Sequence, residues 1–111
     1  MSMLAFEEFA KLDIRAGKVV KAERVPNSKK LLHLEVDIGD GVRSCVAGLA
    51  EQYTPENLIG RTLTVVTNLK PRKMFGFESQ VMLLAAIDKE NPSNISLIVP
   101  DKAVAAGSRV T

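Results

Sequence analysis

The clearest hydrophobic pattern in the chain runs from Leu32 to Ile38, where Leu32, Leu34, Val36 and Ile38 alternate with His33, Glu35 and Asp37. Such alternation marks a strand with one buried face, because successive side chains of extended backbone point to opposite sides. The same period of two begins upstream at Asp13, with Ile14, Ala16, Val20 and Ala22 on one side and Asp13, Arg15, Lys21 and Glu23 on the other. Gly17-Lys18 interrupts this first strand, which predicts a bulge or the sharp bend a small barrel needs. Val25-Pro26-Asn27-Ser28-Lys29-Lys30 between the two strands is a turn by composition. Gly39-Asp40-Gly41 tolerates positive φ and predicts a hairpin that folds Val42 to Ala47 back as a third strand. Centred on Asp40, that hairpin would set Cys45 opposite Glu35 and diagonal to His33.

Helical signals occur twice. Leu4 to Lys11 places Phe6, Phe9 and Ala10 at helical spacing with Glu7 and Glu8 near the positive end, a short amphipathic helix expected to cap the barrel. Thr54-Pro55-Glu56 supplies an N-cap, a proline at the first helical position and an acid in the first turn, and Gly60 is placed to end the helix after Leu58. Arg61 to Leu69 then alternates as a fourth strand, the apolar run Val81 to Ile87 reads as a buried fifth, and Ile95 to Val99 as a sixth. The order β-β-β-α-β-β is that of the OB-fold. The expected class is all-β with short helices, an OB-fold five-stranded β-barrel plus a C-terminal strand extension, with residues 1–111 as a single domain of ordinary size.

Composition then narrows the chemistry. Hydrophobic residues at 46% and charged residues at 25% exclude the signature of disorder. One cysteine, Cys45, and one histidine, His33, allow neither an intrachain disulfide nor a structural zinc cluster, and no motif calls for a cofactor. Neither a signal peptide nor a long uncharged apolar run is evident, so the expected location is the cytoplasm, with no membrane partner.

A net charge of +2 is too small to announce a nucleic-acid binder, so the placement of charge decides. In an OB-fold the ligand face is formed by strands two and three with the loops joining strands one to two and four to five. Lys29 and Lys30 fall on the first loop, and Lys70, Arg72 and Lys73, against Glu78, on the second. These two loops therefore hold +4, and a chain total of +2 leaves −2 for the remainder. Such focusing suits phosphate binding. Leu31 to Ala47 contains no aromatic residue on which single-strand bases could stack, which favours a folded RNA recognised by shape and backbone. Phe75 and Phe77 could stack on an exposed base, but the expectation is that both plug the loop into the core. A Cys45–His33 nucleophile and base pair lacks an oxyanion motif and an orienting third group. No catalytic residue is expected; His33 reads as a surface residue and Cys45 as a small space-filler.

Lys11-Leu12-Asp13-Ile14-Arg15-Ala16-Gly17-Lys18, Val25-Pro26-Asn27, Tyr53-Thr54-Pro55-Glu56, Asn68-Leu69-Lys70-Pro71-Arg72-Lys73, Glu78-Ser79-Gln80 and Pro100-Asp101 closely resemble the tRNA-binding domain family, nearly end to end. That family includes the C-terminal domain or beta subunit of methionyl-tRNA synthetase, stand-alone tRNA-binding proteins and small secretion chaperones. The resemblance implies an OB-fold homodimer that grips the outer corner of tRNA with little regard to sequence, as a free-standing accessory module that could serve an aminoacyl-tRNA synthetase. It assigns backbone contacts to Lys30, Asn68, Lys70, Arg72 and Lys73, and close approach to Ser79, Gln80 and Met82. Three positions depart from the family pattern: Lys29 replaces a frequent acid, Val81 a glycine usual in tRNA binders, and Ala105-Ala106-Gly107 a proline-containing turn. The stretch Gly76 to Val81 also resembles the secretion chaperones, which implies an alternative: peptide clients bound on the same barrel face in an apolar groove around Met74, Phe75 and Phe77.

Overall fold

The structure is a computed structural model that describes residues 2–111. Its elements in chain order are α1 (Phe6–Phe9), β1 (Ile14–Arg24), β2 (Leu32–Asp37), β3 (Val42–Ala47), α2 (Pro55–Leu58), β4 (Thr62–Val66), β5 (Arg72–Met74), β6 (Phe77–Ser79), β7 (Met82–Leu83), β8 (Ala85–Ile87), β9 (Ile95–Leu97) and β10 (Arg109–Val110). The main sheet is ordered β3-β2-β1-β4-β7, with β10 added beside the start of β1. All its pairings are antiparallel. The five strands curl into a nearly closed barrel of the expected OB type.

Closure depends on β1, which is long enough to serve two neighbours. Its first half pairs with β4, from Ile14↔Val66 to Lys18↔Thr62, and its second half with β2, from Lys18↔Asp37 to Arg24↔Leu32. A bulge falls between Val19 and Lys21, where the register shifts and Val20 is left without a partner. Val19, just before the bulge, pairs with Val36 and faces the core in phase with Gly17; the bulge brings Ala22 to the same face, and Val20, assigned by simple alternation to the face of Ala22, is exposed. The bulge expected at Gly17-Lys18, as the alternative to a bend, lies two residues further on, and Gly17 itself is needed for space: a Cβ there would lie 2.5 Å from Val36 Cγ1 and 3.2 Å from Val65 Cγ2. It is the point where β1 passes over the packed interior, and only a residue without a side chain fits.

Leu32, Leu34, Val36, Leu58, Leu63 and Val65 are wholly buried at the centre of the core. Complete burial of each such side chain is worth about 1.5–3 kcal/mol. On the outer side of the β1–β4 pair, Ile14, Ala16, Thr64 and Val66 are buried too. Helix α2 forms as its signals require: Thr54 Oγ1 accepts from the Asn57 N–H, Pro55 opens the helix, and Leu58 goes into the core.

Three expectations need correction. The β2–β3 register pairs Asp37 with Val42 and Leu34 with Cys45, so Cys45 opposes Leu34 and not Glu35. Helix α1 is a single turn with no buried residue and does not cap the barrel. The run Val81 to Ile87 is not one buried strand. It leaves the β4 ladder at Leu83 and joins β9 from Ala85 to Ile87; Leu84 donates to Thr64 O and accepts from Ile98 N–H at the crossing. Only Val81 of that run is deeply buried, and Ala85 to Ile87 are exposed.

Candidate nucleic-acid interface

The barrel closes differently on its last side, where β3 faces β6 and β7. No regular ladder joins them. Side chains complete the pairing: the Val46 N–H donates to Ser79 Oγ at 3.0 Å, and the Ser44 N–H donates to Gln80 Oε1 at 2.9 Å. One backbone bond, from Gln80 N–H to Ser44 O at 2.8 Å, lies between them. Ser79 and Gln80 thus satisfy edge donors of β3 that would otherwise lack partners.

Below this seam the barrel opens into a groove of about 630 Å³. Leu49, Val81, Leu83, Ile87 and Leu97 supply much of its wall, and Lys70 and Arg72 are the charged residues that border it. No acidic residue lines it. Five of the eight residues singled out from sequence, Lys70, Arg72, Ser79, Gln80 and Met82, border this one groove. Lys30 is tied to the same wall by its carbonyl, which accepts from Ala50 N–H at 3.0 Å, next to the lining residue Leu49. Lys73 sits on β5 beside Arg72, with Glu78 as its cross-strand neighbour.

Asn68 stands apart from the groove. Its Oδ1 accepts from Asp13 N–H at 2.9 Å and its Nδ2 donates to Lys11 O at 2.6 Å, so both ends of the amide tie the end of β4 to the start of β1. Lys30, Lys70, Arg72 and Lys73 are all exposed. Among the described residues the Lys and Arg ion pairs lie elsewhere: Arg15 with Asp13 and Asp40, Lys21 with Glu35, and Arg43 with Asp40. The four interface cations therefore keep their charge for solvent or a ligand.

The segment that carries Arg72 and Lys73 is a β5–β6 hairpin turned at Phe75-Gly76, with φ of 50° and 85°. Two positive φ values in a two-residue turn are the mark of type I′, the turn that matches strand twist. His33 anchors this hairpin. Its ring stacks on Phe77 with centroids 4.3 Å apart, while Nδ1 meets Glu23 Oε1 at 3.0 Å and Nε2 meets Ser44 Oγ at 2.8 Å. A carboxylate only accepts, so Nδ1 carries a proton and donates to Glu23. His33 is thus a buried, fully bonded residue rather than the surface residue expected from its place in the alternation. Phe77 does plug the hairpin onto the barrel, whereas Phe75 is 60% exposed and does not.

Cys45 points into the core beside Leu34, on the face opposite His33. Burial pushes its thiol up to about 11, which keeps it protonated and unreactive near neutrality. The two residues of the conceivable dyad do not meet. Val81, the departure from the family pattern, packs its side chain into the core and forms part of the groove floor. The apolar wall was missed because Val81 to Ile87 resembles a buried strand in sequence, and only the crossing at Leu84 reveals that it borders a groove. No helix among the described residues is long and apolar enough to cross a membrane.

Residues 14–109 match the family described as "Putative tRNA binding domain". Among curated proteins, the chain is 50% identical over 107 residues to a methionine–tRNA ligase of Archaeoglobus fulgidus, covering 96% of this chain and 16% of that protein. Among solved structures, the MetRS related protein of Pyrococcus horikoshii superimposes with a TM-score of 0.92 at 40% identity, with both chains covered in full. The chaperone CsaA of Bacillus anthracis superimposes with a TM-score of 0.86 at 31% identity, over 99% of this chain and 100% of that one. The chain spans only 14–16% of the length of the ligases it matches.

Proposed function

The chain belongs to the tRNA-binding domain family, and from that premise we propose that it binds folded tRNA through backbone phosphates, largely without reading sequence. The observation that carries this reading is the groove free of acidic residues and bordered by Lys70 and Arg72, with Lys73 and Lys30 close by and none of the four in an ion pair among the described residues. Each cation that meets a phosphate releases condensed counterions, which supplies affinity and makes it salt-dependent. The barrel contributes stiffness: Ser79, Gln80 and the His33–Phe77 stack hold the basic hairpin at a set place, so the spacing of charges selects a shaped RNA.

In this mechanism Lys30, Lys70, Arg72 and Lys73 hold phosphates, and Ser79, Gln80 and Met82 line the surface that the RNA approaches. Asn68 acts by fixing the segment that leads into Lys70, since its amide is already committed at both ends. The module performs no catalysis itself, works in the cytoplasm as an accessory to translation, and presents tRNA to an aminoacyl-tRNA synthetase. It acts as a homodimer. In support, Met3, Leu4 and Phe6 are 93%, 72% and 76% exposed, neighbouring apolar side chains that a second copy could cover. Light scattering at micromolar concentration should give twice 12.1 kDa; the single-chain mass would contradict the dimer.

Peptide clients are a second reading, favoured by the apolar wall of the groove and by the similarity to CsaA. The groove, rather than the surface around Met74, Phe75 and Phe77, would then be the client site. A filter-binding titration with total tRNA, run against a denatured protein competitor, separates the two. Saturable tRNA binding that the denatured protein fails to displace supports the first reading. Displacement at stoichiometric client, or no tRNA binding at all, supports the second.

A further inference from the structure

The hairpin tip poses a problem that folding alone does not explain. Its first turn residue must adopt the left-handed region, which Asn, Asp and Gly occupy readily and a bulky aromatic occupies at a cost. Phe75 holds φ of 50° there and is 60% exposed, so it is strained without gaining burial in return. Its neighbour Phe77 shows the contrast: that ring is packed on His33 and holds the hairpin in place. Strain of this kind persists where the surroundings enforce it and tends to mark ligand contacts. The hairpin also bears Arg72 and Lys73, two exposed and unpaired cations.

We propose that Phe75 is a stacking residue for an unpaired base of the bound RNA, next to the phosphates held by Arg72 and Lys73; this rests on the tRNA reading above. An aromatic ring beside two cations is the combination that receives an unstacked nucleotide, the ring taking the base and the cations its backbone. The anchored stem fixes where the ring stands. Phe75 would thus add a contact to unpaired bases in a binding surface otherwise devoted to phosphates, and give a preference for RNA that displays such a base.

The decisive variant is Phe75→Asn, because asparagine suits the left-handed turn position and removes the ring. Its melting temperature should hold or rise by about 2–5 °C. Its affinity for total tRNA should nevertheless fall between about five-fold and a hundred-fold, the range that base–aromatic stacking supplies. The slope of log K against log salt should stay as in the wild type, since no phosphate contact is lost. Phe75→Trp should retain affinity, and a fully paired RNA duplex should bind wild type and Phe75→Asn equally. If Phe75→Asn binds tRNA as the wild type does while Arg72→Ala weakens binding, the stacking role is wrong and the phosphate reading stands. If the wild type itself binds no tRNA, the underlying reading fails. Loss of denatured-protein binding alone in Phe75→Asn would assign the ring to peptide clients and overturn the proposal.

Discussion

The β1–β2–β4 side of the barrel and the β3–β6–β7 seam are built from the same kinds of residue yet solve different problems. On the first side backbone ladders pair the strands, Leu and Val fill the interior, and Gly17 is absent of side chain only because Val36 and Val65 need the space. On the second, side chains of Ser79 and Gln80 replace the ladder, apolar residues line an open groove, cations stand unpaired and Phe75 is strained. The first region is organised for burial. The second leaves exposed cations and a strained ring that a ligand could engage, and sites of function are where such local inconsistencies are expected.

That contrast can be broken by mutation. Leu34→Ala, at the centre of the well-paired side, should cost about 2–5 kcal/mol in denaturant unfolding through lost burial and the cavity left behind. The variant should still bind tRNA normally at temperatures where it remains folded; a matching loss of affinity would show that the two regions are not separable. Cys45 gives a second handle on the core. Its folded thiol is raised to about 11 from the usual 9.0 by burial, so the native state retains a proton that the unfolded chain loses. The stability this represents is fully present below pH 9 and is lost as pH rises through 11, by up to about 3 kcal/mol. Thermal unfolding of wild type and Cys45→Ala across pH 8–11 should diverge over that window, and parallel curves would mean the thiol is not desolvated.

A smaller effect is expected at the seam. Gln80→Ala leaves the Ser44 N–H without its acceptor and should cost about 1–2 kcal/mol, less if water enters from the groove. Its signature is a loss of tRNA affinity at unchanged salt slope, because the hairpin loosens while its cations remain. The smallest concerns Asp13, which the Arg15 hydrogen bond holds below the usual aspartate value of 3.8. Its contribution is present above pH 3.8 and is lost as pH falls through the lower folded value. Asp13→Asn should flatten acid unfolding slightly, a change confined to the first side and without effect on RNA binding near neutrality.

The barrel order was legible because its signals are local: the alternation from Leu32 to Ile38, the Gly39-Asp40-Gly41 turn, and the Thr54-Pro55-Glu56 cap each specify a conformation by their own chemistry. The basic residues of the groove were legible from their concentration on two loops. What escaped depended on contacts distant in sequence. The β1 bulge sets both Val19 and Ala22 on the core face and leaves Val20 exposed, and nothing in these side chains announces the shift. His33 sits in the polar phase of a strand, but Phe77, forty-four positions later, covers it. The seam role of Ser79 and Gln80 likewise needs the edge of β3, which pattern along a single segment does not reveal.

The account rests on cations that meet phosphates, and salt is the most direct probe of that. Total tRNA should be titrated against wild type, Arg72→Ala, Lys73→Ala and the double variant by filter binding at a series of salt concentrations. A steep negative slope of log K against log salt is expected for the wild type, reduced by roughly 1 for each cation removed and by roughly 2 for the pair. Folded variants whose affinity and slope both match the wild type would contradict the account, and leave the basic hairpin as solvated surface.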